Sequence, residues 1–234
     1  MPLEFNSDAK RVEVASNPSL EGMSGLFVCA WIYRTGTPAN NYARICSKSN
    51  GGSSDDYSLT LAGASLANKG FGRVTTTTDI YEAIGTTIVP INTWHWMAMK
   101  WDGSEVAIYY DNQEEASPAT TGTLVDNNSD LGVGGHVDSP TDRRFPGWID
   151  DVRVYNRAIS DTREREAIFR GGGKDGIRQG LVLRLLMNEK HPGATASGSG
   201  SIIDISGQGN HGTPIGSPVY KNGIITFKRK MIAA

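Results

Sequence analysis

The sequence predicts an all-β fold, a two-sheet antiparallel β-sandwich with one short helix near residues 161–170. Three observations predict it. Apolar and polar residues alternate over short runs, the period of a half-buried strand. Turn signals separate the runs, and the 28 glycines are scattered without a repeat, as many turns require. Residues 26–33 are apolar on both sides, with Phe27, Cys29, Trp31 and Tyr33 on one face and Leu26, Val28, Ala30 and Ile32 on the other. An inner strand covered on both faces has that composition.

The elements follow in order. Residues 3–5 and 11–14 are short alternating strands around a polar turn at 6–10, and 26–33 is the strongest strand. Residues 43–48 follow, then a polar, glycine-bearing loop at 49–56 and an alternating strand at 57–61. The run 70–89 is rich in Thr and Ile and favours strand. Residues 94–101, with three tryptophans, form a clear strand ended by Asp102-Gly103, a hairpin signal whose partner is 106–110. Asp111-Asn112 closes that partner, and 131–135 is a further short strand before a loop at 136–144. In the strand that starts near Trp148, strict alternation places Ile149, Asp151, Arg153 and Tyr155 on one face and Asp150, Val152 and Val154 on the other. Ser160 stands where an N-cap would, before a helical run at 161–170, and Gly171-Gly172-Gly173 is a stop and hinge.

With 234 residues, the chain suffices for one large β domain or two small ones, and 38 % apolar residues give it a core. The net charge of −2 argues against a general nucleic-acid binder. No window has the length and apolarity of a membrane-spanning helix, and residues 1–10 hold no apolar signal region, so synthesis in the cytoplasm without an export signal is the expectation. Cys29 and Cys46 do not make a disulfide framework; two buried thiols or one bridge between neighbouring strands both fit.

The stretch Phe145-Pro146-Gly147-Trp148-Ile149-Asp150-Asp151-Val152-Arg153-Val154-Tyr155-Asn156-Arg157-Ala158-Ile159-Ser160 resembles the signature of the laminin-G-like, concanavalin A-like jelly rolls. Trp94-His95 followed by Ala98 and Asp102-Gly103, then Tyr109 and Asp111, resembles a second pattern of that family. Residues 180–187 look like the family's first strand, and Asp204-Ile205-Ser206-Gly207-Gln208-Gly209-Asn210-His211-Gly212 resembles its D-x-S-G-x-G-N-x-G turn. The resemblance therefore implies a circularly permuted jelly roll spanning residues 1–222, with 180–220 supplying the usual first strand and turn, either in cis or by exchange with a sister chain. The tail 223–234 lies outside the resemblance and carries Lys228-Arg229-Lys230 among apolar residues.

For chemistry, the resemblance implies a structural Ca²⁺ held by Asp150, Asp151, Asp204 and Asn210; the same turn residues also stabilise loops without metal. Catalysis is not expected. Asp150 and Asp151 are neighbours on a strand and cannot flank one glycosidic bond about 5–9.5 Å apart. The E-x-D-x-x-E strand of the related glucanases is missing, and His95, His136, His191 and His211 have no metalloprotease spacing. Tyr42, Tyr57, Tyr81 and Trp148 lie near predicted loops and are the candidates for stacking on a sugar ring, with the loops 39–44, 49–56 and 138–144 as a rim.

Two functions stand at this stage. One is a non-catalytic structural or decoration protein on the surface of a phage or virus particle, with virion or surface proteins, host glycans and further copies of itself as partners. The other is a calcium-stabilised carbohydrate-binding module of a cellular protein.

Overall fold

The computed structural model describes residues 1–7, 9–39, 42–49, 55–137, 143–171 and 175–222. The centre of the predicted 49–56 loop, parts of those at 39–44 and 138–144, most of the glycine hinge and the tail lie outside the described residues. The strands form two antiparallel sheets, as the sequence predicts. Sheet A contains β1 (Leu3–Glu4), β3 (Leu26–Arg34), β8 (Trp94–Trp101), β9 (Val106–Tyr110), β10 (Gln113–Ala116), β12 (Gly147–Tyr155), β13 (Leu181–Leu185) and β15 (Val219–Tyr220). Sheet B contains β2 (Arg11–Val14), β4 (Ala43–Ser49), β5 (Asp55–Leu61), β6 (Lys69–Thr75), β7 (Ile80–Ile88), β11 (Leu131–Val133) and β14 (Gly212–Ile215). Sheet A runs β10-β9-β8-β3-β12-β1-β15, and sheet B runs β14-β2-β11-β4-β5-β6-β7.

β12 organises sheet A. One of its edges pairs with β3. The other is shared end to end: Trp148 and Ile149 pair with β1, and residues from Val152 to Tyr155 pair with β13. The late segment therefore enters the sheet of its own chain, directly beside the first strand.

The main core lies between the sheets, with Leu26, Val28, Ala30 and Ile32 of β3 and Val152 and Val154 of β12 meeting Ile45, Leu59 and Val74 of sheet B. A second cluster covers the outside of sheet A, where Phe27, Cys29, Trp31, Trp96 and Tyr155 pack under Ile168 and Phe169 of helix α1 (Thr162–Arg170). This helix explains why β3 is apolar on both faces: one face meets the other sheet and the other meets α1.

Three local features depart from the sequence reading. Along β12 the strict alternation breaks at Asp151. The register with β3 slips between Asp150 and Arg153, and Asp151 adopts φ +46°, so a β-bulge turns the strand over. Ile149 therefore joins Val152 and Val154 in the interior, instead of lying with Arg153 and Tyr155. At the helix, Asp161 rather than Ser160 is the N-cap, its carboxylate accepting from the Arg163 N–H at 2.7 Å. Finally, Asp111 and Asn112, at φ +45° and +66°, form a tight turn into β10, a charged strand that carries no apolar signal.

Both cysteines are free and buried, Cys29 outside sheet A and Cys46 between the sheets. Burial pushes the Cys29 thiol up to about 12 and raises that of Cys46 as well.

Candidate functional site

A row of side chains crosses one end of the outer face of sheet A. Register dictates it: Trp94 of β8 lies opposite Tyr33 of β3, Tyr33 opposite Trp148 of β12, and Trp148 opposite Glu4 of β1. Cross-strand partners on one face lie side by side, so three aromatic rings become one strip. The Tyr33 and Trp148 rings are stacked at 4.4 Å with 14° between their planes, and Trp94 tilts against Tyr33 at 5.4 Å. Trp94 is buried, whereas Tyr33 and Trp148 are partly exposed. Gly147 sets the spacing, since a Cβ there would stand 2.1 Å from the Tyr33 carbonyl oxygen.

Polar groups rim the strip. The Trp148 indole N–H donates to Glu4 Oε1 at 3.3 Å. Glu4 also pairs with Lys221 at 3.0 Å and Lys10 at 3.7 Å, and the Lys221 ammonium stands 5.9 Å from the Trp148 ring centre. Apolar ring surface flanked by a carboxylate and two ammonium groups suits a polyhydroxylated ligand: C–H faces meet the rings and hydroxyls meet the charges. Glu4 and both lysines are tied to one another, so the row presents polar contacts rather than a free acid–base pair.

The other predicted ligand residues do not converge on Trp148. Tyr57 is fully buried between the sheets, away from any surface on which a sugar could stack. Tyr81 lies on β7, its hydroxyl 2.8 Å from Thr121 Oγ1. Tyr42 lies on the outer face of sheet B, edge-on to Phe71 at 5.6 Å, with the guanidinium carbons of Arg73 and Arg143 at 4.7 and 5.9 Å from its ring centre. Beside it, buried Arg44 pairs with Asp55 at 2.8 Å, and burial lowers the Arg44 guanidinium to about 10. The Arg44 N–H donates to the Arg143 carbonyl, and Ser49 Oγ meets His136 Nε2 at 2.8 Å. Arg44, Ser49, Asp55 and His136 are all buried, so these bonds tie the loop flanks to sheet B rather than offering a binding surface.

The four residues implied as calcium ligands fall into two groups with other work. Asp151 receives Arg153 at 2.6 Å and Arg184 at 3.0 Å, and Arg153 also binds Asp175. Burial alone would raise the Asp151 carboxyl, but Arg153 and then Arg184 outweigh it and hold it below the ordinary carboxylate value. Adjacent Asp150 turns back to accept from the Asp151 N–H at 3.0 Å. Asp204 and Asn210 do meet: Asp204 Oδ2 accepts from the Asn210 N–H at 3.0 Å and from Ser206 Oγ at 2.7 Å. Its Oδ1 accepts from the N–H groups of Arg184 and Ser206, both at 2.9 Å, and Asn210 donates to the Val182 carbonyl and Ser19 Oγ, both at 2.8 Å. A cation requires free oxygens pointing at one point. Here Asp151 is neutralised by guanidinium and Asp204 is filled by four donors. The buried Asn210 Oδ1 has no partner among the described residues, but one oxygen does not make the roughly six to eight that a calcium ion takes, so this set does not fit it.

His95 is a further hydrogen-bonded residue, with Nδ1 2.8 Å from Asp111 Oδ2 and Nε2 2.9 Å from Thr93 Oγ1.

A family model described as the concanavalin A-like lectin/glucanases superfamily matches residues 6–163. The chain belongs to this superfamily. Comparison with curated proteins finds no match. Among solved structures, the lectin/glucanase fold of this chain is similar to a putative carbohydrate binding protein from Bacteroides ovatus, with a TM-score of 0.62 and 18 % identity over 93 % of this chain and 60 % of that one. It is also similar to a heptameric SAP-like pentraxin from Limulus polyphemus (TM-score 0.56, 12 % identity, 74 % and 83 % covered). A third is the CBM40 of a Ruminococcus gnavus IT-sialidase bound to α2,3 sialyllactose (TM-score 0.56, 14 % identity, 70 % and 94 % covered). At these identities the shared property is the fold, and the chain spans 60 % of the length of the first of these structures.

Sequence reasoning found Trp148 but missed Tyr33, Trp94, Glu4 and Lys221. The available signal was parity: Tyr33 continues the Trp31 face to the strand end, where α1 no longer covers it.

Proposed function

We propose that the protein is a non-catalytic glycan-binding β-sandwich, with the sugar resting on the Trp148–Tyr33 strip. The observation that carries this reading is the stacked, partly exposed pair at 4.4 Å with Glu4 and Lys221 at its rim. The carbohydrate-binding proteins of the same fold support it. A glycan array followed by titration calorimetry tests it. A hit weakened on the order of tenfold or more by Trp148→Ala, and little by Tyr42→Ala, is the expected result. An array without hits, or a hit indifferent to Trp148, overturns it.

A second reading places the protein on the surface of a phage or virus particle. The exposed isoleucines of β7 favour it, because exposed apolar rows mark contact surfaces. Co-sedimentation with purified particles tests it, and a protein that never travels with particles counts against it. The strand order is part of the proposal too. The family match ends at residue 163, and β13, beyond it, lies beside β1 on β12, as a permuted jelly roll requires.

A further inference from the structure

The outward face of β7 carries isoleucines in alternation with Glu82 and Thr86, where an edge strand is ordinarily more charged. Ile80, Ile84 and Ile88 are 39, 38 and 57 % exposed, and Ile91 just beyond is 49 % exposed. β7 ends sheet B, so one backbone edge has no strand partner among the described residues. Only part of that edge is blunted, where the Glu115 carboxylate accepts from the N–H groups of Thr86 and Thr87 at 3.1 and 3.0 Å. The charges beside the row are Asp79, Glu82 and Glu115, with Arg73 paired to Glu82 and Lys69 opposite Ile88.

The complementary segment is in the same sequence. Residues 224–230 read Ile-Ile-Thr-Phe-Lys-Arg-Lys, a β-favouring stretch followed by three cations. We propose that this segment of one copy adds as a strand to β7 of another, with Ile225 and Phe227 on the isoleucine row and Lys228, Arg229 and Lys230 against the carboxylates. An exposed edge is satisfied in this way by an extended peptide, whose backbone supplies the bonds and whose alternate side chains supply the fit.

Distance decides that the contact is between copies. Tyr220 ends β15 at one edge of sheet A, whereas β7 packs against β9 and β10 at the opposite edge. Five strand spacings separate β15 from β9, about 24 Å. Ile225 lies five residues past Tyr220 and reaches at most about 17 Å. The donor surface and the acceptor surface therefore differ, so the association is head-to-tail and forms rings or open chains rather than a two-fold pair.

Two variants of this chain test it, the first at exposed positions of β7. Ile84→Asp/Ile88→Asp removes the acceptor, and Ile225→Asp/Phe227→Asp removes the donor. In sedimentation velocity the native chain is expected to self-associate with rising concentration, each variant alone to stay monomeric, and an equal mixture to form a heterodimer and nothing larger. A native chain that stays monomeric overturns the proposal. So does a donor variant that still self-associates, which would indicate symmetric β7 pairing. The strip at Trp148 lies on the sheet opposite Ile84 and Ile88, so glycan binding by the acceptor variant is unchanged whichever result is obtained.

Discussion

Asp151 binds Arg184 across the seam between β12 and β13, at 3.0 Å from Oδ1 to Nε, while its other oxygen receives Arg153 at 2.6 Å. The bulge makes this contact: at φ +46° the carboxylate points along the sheet toward both guanidinium groups. Arg184→Met leaves Asp151 with Arg153 as its remaining guanidinium partner and is expected to destabilise the fold by about 1–3 kcal/mol, read from urea unfolding. A loss near zero would show that β13 is held by its apolar side chains alone.

The same carboxylate sets an acid limit. Its folded value lies below the unfolded one, so its contribution is complete above the ordinary carboxylate value and disappears as pH falls through the folded value. Asp175, where burial is outweighed by Arg153, acts in the same direction. Asp151→Asn should therefore lower stability at neutral pH and flatten its decline in acid. An unchanged acid slope would count against the linkage.

Calcium should not matter to this turn. Asp204 is filled by Arg184, Ser206 and Asn210, and Asp151 by arginine. Thermal melting is expected to be the same with excess calcium and with chelator. A rise with calcium that Asp204→Asn abolishes would reverse this reading.

At the helix start, Asp161→Ala is expected to cost about 1 kcal/mol and Ser160→Ala much less, because only Asp161 accepts from the first turn. Equal losses would mean that the cap is shared.

Gly147→Ala should separate Tyr33 from Trp148, because the added carbon meets the Tyr33 carbonyl oxygen at 2.1 Å. Overpacking of this kind costs about 1–3 kcal/mol. Tryptophan fluorescence should shift as the stack opens; an unshifted spectrum would show that β3 and β12 yield without disturbing the rings.

Much of the fold was legible because it is written in periodicity. β3, β8 and β9 are short, largely apolar runs bounded by turn signals, and the Asp102-Gly103 turn precedes the partner the sequence assigns, Asp102 accepting from the Ser104 and Glu105 N–H groups. The 70–89 run splits into β6 and β7, as its strand-favouring composition allows. What stayed hidden has physical causes. The bulge at Asp151 leaves no mark in the pattern, since Asp150 to Tyr155 alternates acceptably in either phase. β10 is polar and exposed, so no hydrophobic signal announces it. The aromatic strip depends on register, which pairs Tyr33 with both Trp94 and Trp148 from distant strands, and single-strand patterns carry no information on that pairing. Tyr57 was misjudged for the opposite reason: nearness to a polar loop in sequence says nothing about which side of the sheet the ring takes.

The shared edge of β12 also dictates when this molecule becomes complete during synthesis. A nascent chain that has emerged as far as Tyr155 holds β1 and β3 on that strand but leaves half of one edge bare until Leu181–Leu185 leaves the ribosome. Sheet A therefore closes only after residues 181–185 have been made, through contacts between segments far apart in the sequence, and slow, late consolidation is the folding behaviour such wiring imposes.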